Sequence, residues 1–185
     1  MTLLLIGFSL FFFVFILIII VQMFFSLMTM GFFMGPYYTA SDRERIKNIL
    51  ALTNLKKTDH LIDLGAGDGR IVVAAAKTGA RATGIEINPI YFCRARRALT
   101  QHRLTSPQAK IILGDFWQHD LSPYSVVVVY GISYMMKRLA RKLARELKPG
   151  TRVISVYFKL PGWKIDEEKG DIRYYLVSAK ESKTN

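Results

Sequence analysis

Between two apolar runs the chain reads Asp63-Leu64-Gly65-Ala66-Gly67-Asp68-Gly69-Arg70, an acidic side chain and three glycines where a strand should give way to a helix. Glycines in such a turn let the backbone come close to a ligand, and the helix that follows offers N–H groups to an anion. A dinucleotide turn spaces its glycines Gly-x-Gly-x-x-Gly, which would need glycine where this chain has Arg70. The spacing present is Gly-x-Gly-x-Gly. That shorter loop suits a carboxylate better than a pyrophosphate, and the methionyl end of S-adenosylmethionine carries a carboxylate; an ordinary cluster of turn glycines would have the same letters. Gly84-Ile85-Glu86-Ile87-Asn88-Pro89 then puts Glu86 at the end of the next strand, where a carboxylate can accept from both hydroxyls of a ribose. Dinucleotide and S-adenosylmethionine sites share that carboxylate, and alone it would read as a solvated glutamate. Gly114-Asp115-Phe116-Trp117 follows a third strand and offers a carboxylate to an adenine amino group, with an aromatic ring near the base. In order, at the ends of consecutive strands, the three stretches point to one nucleoside site, because open parallel sheets bind ligands at the carboxyl ends of their strands.

The elements that must position these residues alternate between strand and helix. Ser41 and Glu44 form a capping-box start, and Ile46, Ile49 and Leu50 supply one apolar face, predicting a first helix to about Ala51. His60 to Leu64 reads as a strand and Arg70 to Lys77 as the helix leaving the glycine turn. Ala82 to Ile87 is a second strand; Asn88 as N-cap and Pro89 at the first helical position open a helix to about His102. Ala109 to Leu113 and Ser125 to Tyr130 are apolar runs of strand length. Tyr134 to Leu147 is amphipathic, with Leu139, Leu143 and Leu147 on one side and Pro149-Gly150 as its stop. Arg152 to Phe158, a weak Lys164 to Asp166 and Ile172 to Val177 complete the strands. Repeated units of this kind imply an α/β fold with a mostly parallel sheet covered on both faces.

Composition separates two segments. All charged side chains lie from Asp42 onward, and Leu3 to Val21 is an apolar run of the ~20 residues that a helix needs to cross a bilayer. A cleaved signal would want a basic start and an Ala-x-Ala-like site, neither of which is present, so the run is read as a transmembrane helix. Apolar residues continue to Met34, an excess that either tilts the helix or forms a second, interfacial element. Arg43, Arg45, Lys47, Lys56 and Lys57 follow the span and no Lys or Arg precedes it, which orients the remainder toward the cytoplasm or an equivalent inner compartment. The chain thus divides into a hydrophobic membrane anchor, 1–35, a pre-core segment with the first helix, 36–53, and one compact domain, 54–185. The length leaves no room for a second full domain. Cys93 is the only cysteine and His60, His102 and His119 are scattered, so neither an internal disulfide nor a metal site is expected. A net charge of +12 suits anionic partners, nucleic acid and anionic lipid among them. Lys137, Arg138, Arg141, Lys142 and Arg145 form one positive helix face and Arg94, Arg96 and Arg97 a second cluster, read as either a solvated surface or a contact for lipid headgroups. No RNA-recognition module accompanies them.

The order of Asp63 to Arg70, Glu86 and Asp115 resembles the class I, seven-strand S-adenosylmethionine-dependent methyltransferases. Gly35-Pro36-Tyr37 after the hydrophobic segment and the late Phe158, Pro161 and Trp163 sharpen the resemblance. With them the chain is similar to the membrane-anchored lysine methyltransferases that act on the mitochondrial adenine nucleotide translocase and on the c-ring protein of ATP synthase, and to their prokaryotic relatives. The resemblance spans Gly35 to about Val177 and implies a Rossmann-like, doubly wound seven-stranded sheet. It implies S-adenosylmethionine as cofactor, held by Asp63, Gly65, Ala66, Gly67, Gly69, Glu86, Ile87, Asp115 and Phe116: the glycines at the methionyl end, Glu86 at the ribose, Asp115 at the adenine. It implies Phe158, Pro161 and Trp163 as substrate-side residues.

Methyltransferases acting on planar nitrogens often carry an Asn/Asp-Pro-Pro-Tyr/Phe after the fourth strand; this chain has Tyr130-Gly131-Ile132-Ser133-Tyr134 there, which disfavours a planar amide or nucleobase amine. A lysine acceptor must be presented neutral, at a cost of about 4.6 kcal/mol at pH 7 unless burial lowers its pKa. Tyr37 and Tyr38 are the candidates to line an apolar acceptor channel or close over the cofactor; a tyrosine belt at the membrane interface is the other reading of the pair. The expected function is methylation of a lysine on a membrane-associated protein, with anionic lipid as a second partner. A phospholipid headgroup amine methyltransferase and a non-catalytic nucleoside-binding adaptor are the alternatives.

Overall fold

The computed structural model describes residues 2–33 and 43–178, with side chains from Phe8 to Ser26 in the first helix. Two compact units divide the chain, Met1–Tyr37 and Tyr38–Asn185.

In the first unit, helix α1 runs unbroken over Thr2–Phe33. At 1.5 Å per residue its 32 residues measure about 48 Å, against about 30 Å of bilayer hydrocarbon. Phe8–Ser26 has a mean hydropathy of 2.8 and is wholly exposed, so the helix is long and apolar enough to cross a membrane. The apolar run beyond Val21 is therefore a continuation of the same helix, not a second element.

The second unit opens with α2 (Arg43–Thr53), two residues longer at its end than its apolar face suggested. The rest alternates: β1 (His60–Leu64), α3 (Arg70–Lys77), β2 (Arg81–Glu86), α4 (Pro89–Gln101), β3 (Ala109–Leu113), β4 (Val126–Tyr130), α5 (Ser133–Glu146), β5 (Arg152–Val156), β6 (Glu167–Lys169) and β7 (Ile172–Leu176). The strands form one seven-stranded sheet in the order β3-β2-β1-β4-β5-β7-β6. The first five are parallel, while β7 runs antiparallel to β5 and β6 antiparallel to β7. The order reverses between β1 and β4, which opens a crevice at their carboxyl ends.

The run of valines in β4 shows why the sheet is covered on both sides. Val126 and Val128 pack into a layer with Ile49 of α2, Val72 of α3 and Leu99 of α4. Val127 and Val129 face the opposite layer, with Leu139 and Leu143 of α5. A strand apolar at every position belongs in the interior of a parallel sheet. Asn88 caps α4 as its type suggests, its side chain accepting from Ile90 N at 2.9 Å with Pro89 at the first turn.

Three elements depart from their sequence reading. Strand β6 is Glu167–Lys169, not Lys164–Asp166, because the Gly170-Asp171 hairpin, with Gly170 at φ 62°, pairs Lys169 with Ile172 and Glu167 with Tyr174. All three β6 residues are exposed, so no apolar period marked them. Strand β5 stops at Val156, because Tyr157 takes a φ of 68°. Lys142 is absent from the exposed basic face of α5: it is 5% exposed, next to the leucine stripe, and its Nζ donates to His119 O and to Glu146.

Gly84 is the tightest point of the sheet. A Cβ there would lie 2.6 Å from Ala66 Cβ, 2.8 Å from Ile111 Cδ1 and 2.9 Å from Val72 Cγ2. Gly84→Ala should therefore destabilise the fold by about 1–3 kcal/mol through overpacking. It should also weaken cofactor binding, since Ala66 belongs to the glycine loop; a denaturant midpoint equal to wild type would contradict this.

Candidate cofactor and acceptor site

The β1–α3 loop is bolted to the end of β2. Gly65 N and Ala66 N both donate to Ile85 O at 2.9 Å, and Gly67 N donates to Glu86 Oε2 at 2.8 Å. The other oxygen of Glu86 accepts from Asn88 N at 2.8 Å, so one carboxylate joins the glycine loop to the N-cap of α4. Gly114 N donates to Glu86 O at 2.9 Å, which draws the exit of β3 to the same place. Gly65, Gly67 and Gly69 take φ values of 86°, 55° and 81°, left-handed conformations that permit this tight path. Beside Gly65 there is open space where a side chain would stand.

Asp63, the last but one residue of β1, is 2% exposed, and its Oδ1 has no hydrogen-bond partner among the described residues. Burial, followed by the charges of Glu86 and Asp68, holds its carboxyl well above the usual carboxylate range. A buried acid lacking a partner, next to a loop of left-handed glycines, fits a ligand bearing an ammonium and a carboxylate on one carbon. The methionyl end of S-adenosylmethionine has that pair of charges.

At the end of β3, Asp115 Oδ1 accepts from Trp117 N at 2.9 Å, closing a turn that sets the acid beside Phe116. The rings of Phe116 and Trp117 lie 4.7 Å apart, and the guanidinium of Arg138 from α5 covers Trp117 at 4.1 Å. Ile87, 47% exposed, projects from the end of β2. The three stretches read from the sequence thus meet along one edge of the sheet, at the ends of β1, β2 and β3.

The late aromatic stretch does not behave as one unit. Phe158 is exposed just past β5, its carbonyl accepting from Ser155 Oγ at 2.6 Å. Trp163 is partly buried, edge-on to Tyr175 at 6.0 Å in the layer that α5 covers, so its ring packs against the core. Pro161 is exposed in the turn between them. Tyr37 and Tyr38, with Gly35, Pro36 and Ser41, lie outside the described residues. Sequence reading missed a cluster at the ends of β4 and β5: Tyr130, Tyr157 and Arg45. The rings of Tyr130 and Tyr157 lie 6.2 Å apart at 72°, and the Arg45 guanidinium stands 5.1 Å over Tyr157. Only their aromatic type at strand ends could have signalled it.

A family model described as the ANTKMT methyltransferase domain matches residues 63–167, from the first acid of the glycine loop to the start of β6. The chain belongs to this family. The human (Homo sapiens) lysine N-methyltransferase of the ATP synthase c-ring protein is 37% identical over 138 residues, 74% of this chain and 57% of that protein. Protein-lysine N-methyltransferase of Saccharolobus islandicus is 34% identical over 128 residues, 68% of this chain and 79% of the relative. Adenine nucleotide translocase lysine N-methyltransferase of Mus musculus is 36% identical over 129 residues, 69% of this chain and 55% of that protein. The chain spans less than two thirds of the length of the two mammalian relatives. Among solved structures, an RNA methyltransferase from Salinibacter ruber in complex with S-adenosyl-L-homocysteine superposes with a TM-score of 0.71 at 32% identity, covering 76% of this chain and 95% of that one. The family's sheet is Rossmann-like, and its methyltransferase chemistry uses S-adenosylmethionine.

Proposed function

We propose that this protein is an S-adenosylmethionine-dependent protein-lysine N-methyltransferase, held at a membrane by α1 and acting on a lysine of a membrane-associated protein. The observation that carries the reading is the meeting of the unpartnered Asp63, the left-handed glycine loop and the Glu86 clamp inside the stretch that the family model matches. Asp63 takes the methionyl ammonium; Gly65, Ala66, Gly67 and Gly69 cradle its carboxylate; Glu86 takes the ribose. Ile87 and Phe116 flank the adenine, whose amino group donates to Asp115. When bound, the cofactor supplies a methyl group on a sulfonium, already electrophilic. The chain's own residues then have to align an amine with it and exclude water. Tyr37, Tyr38 and Phe158 are the acceptor-side candidates, with Pro161 and Trp163 shaping the turn that carries Phe158.

The acceptor class is supported by the relatives, whose names specify lysines on the ATP synthase c-ring protein and the adenine nucleotide translocase, both membrane proteins. The anchor is supported by α1, apolar on nearly every side over Phe8–Ser26 and thus without a face for water. Basic residues after the span and none before it favour a catalytic domain on the cytoplasmic or matrix-equivalent side. Exposed Lys137, Arg138, Arg141 and Arg145, with Arg94, Arg96 and Arg97, suit anionic headgroups at about 1 kcal/mol each. The Salinibacter neighbour makes RNA the competing acceptor for the same basic faces. The full chain should stay in the membrane pellet through alkaline carbonate. With labelled S-adenosylmethionine it should mark the protein fraction; label in extracted RNA or lipid would overturn the acceptor class.

A further inference from the structure

Tyr157 sits one residue past β5 at a φ of 68°, and Phe158 N donates across it to Val156 O at 3.0 Å. A three-residue turn closed in this way around a positive φ is the rare, strained form of the γ-turn, and for a bulky aromatic residue such a backbone is an outlier. Strain of this kind persists only where the surroundings over-determine it, and it clusters at ligand clamps. Here each polar group of the turn is pinned. Tyr157 N donates to Asp171 O at 2.8 Å, Tyr157 O accepts from Arg173 Nη1 at 2.8 Å, and Phe158 O accepts from the fully buried Ser155. Arg45, over the ring, is itself fixed by Asp171 through Nε at 3.2 Å and Nη2 at 2.6 Å.

Core packing does not account for the strain, because Tyr157 remains 40% exposed and joins neither apolar layer. Glycine would adopt the turn freely, yet the chain places a tyrosine there. Position supplies the reason. The cofactor-side residues occupy the ends of β1, β2 and β3. Tyr130 and Val156 are register partners at the ends of β4 and β5, so the tyrosine pair stands on the part of the carboxyl edge left for the acceptor.

We propose that Tyr157, with Tyr130 beside it, is the acceptor-contacting wall of the site, and that the strained turn holds its ring where the stem of the incoming lysine must lie. The proposal rests on the lysine reading above. A lysine stem is apolar and packs on such a ring, and desolvation there favours the neutral amine that can attack. The attacking nitrogen's lone pair forms the bond to the methyl carbon, the carbon–sulfur bond breaks, and the pair stays on sulfur. The proton is lost from the amine to solvent before attack.

The test is calorimetry on the full chain in detergent, with two probes. One is S-adenosylhomocysteine; the other is its analogue with nitrogen for sulfur, carrying a lysine-like aminoalkyl arm. Wild type should bind the armed analogue at least about tenfold tighter. Tyr157→Gly should bind S-adenosylhomocysteine within about twofold of wild type and lose that advantage, and Tyr157→Phe should keep most of it. Because glycine relieves the turn, Tyr157→Gly should melt at the wild-type temperature or a few degrees above. An advantage retained in Tyr157→Gly, or parallel loss of S-adenosylhomocysteine affinity and melting temperature, would overturn the proposal. Wild type showing no advantage would overturn the lysine reading itself.

Discussion

Replacing Glu86 by alanine should weaken binding of S-adenosylhomocysteine by about 100-fold or more and abolish methyl transfer. Its carboxylate accepts from Gly67 N and Asn88 N, both at 2.8 Å, so alanine strands two backbone donors at the end of β2. Each donor left unsatisfied costs about 1–3 kcal/mol, and the glycine loop loses the bond that sets its path. The ribose loses its acceptor at the same time. Glu86→Gln should fall between, because one amide oxygen can serve only one of the two N–H groups while its NH2 opposes the other. Calorimetry with S-adenosylhomocysteine checks this; a loss below about fivefold would mean that Glu86 is a loop clamp without a role at the ribose.

Asp63 should make cofactor binding depend on pH. In the empty protein, burial first, and then Glu86 and Asp68, hold its carboxyl above the usual range, so the folded chain keeps a proton that the unfolded chain has lost. The stability it contributes is full below a pH of about 3.9 and falls as pH rises from there through the raised folded-state value. An ammonium beside it favours the carboxylate instead, so ligand binding should release a proton wherever Asp63 is still protonated. Affinity for S-adenosylhomocysteine should accordingly rise with pH across that window. Binding heats in buffers of different ionisation enthalpy should report the proton. Asp63→Asn should abolish the release, flatten the stability profile on its alkaline side and lower affinity by about tenfold or more. Unchanged proton release in Asp63→Asn would remove Asp63 from the ammonium site.

Much of this arrangement was legible before the structure, for local reasons. The bounds of β1, α3 and β3 follow from glycines and apolar runs a few residues long, and the cap on α4 from Asn88 and Pro89. The three acidic strand ends follow from the same local signals. What escaped depends on distant residues. The turn at Tyr157 is held by Asp171 and Arg173 of the hairpin strands and by Arg45 of α2, all of them remote from it in the chain. β6 exists because β7 pairs with it, and its three exposed side chains carry no pattern of their own. Lys142 looked like part of a solvated face because helical spacing alone does not reveal that Glu146 and the carbonyl of His119 await it under the surface. Nor could an apolar run distinguish one long helix from two; only the unbroken α1 does.

The central claim is that this sheet edge delivers a methyl group to lysine nitrogen. Membranes from cells lacking the gene, incubated with the purified full chain and methyl-labelled S-adenosylmethionine, test it when the labelled protein is hydrolysed to amino acids, with Glu86→Ala run in parallel. The expected result is ε-N-methyllysine from a discrete membrane protein band, absent with Glu86→Ala. Label recovered in lipid, in RNA or in any other amino acid would contradict it.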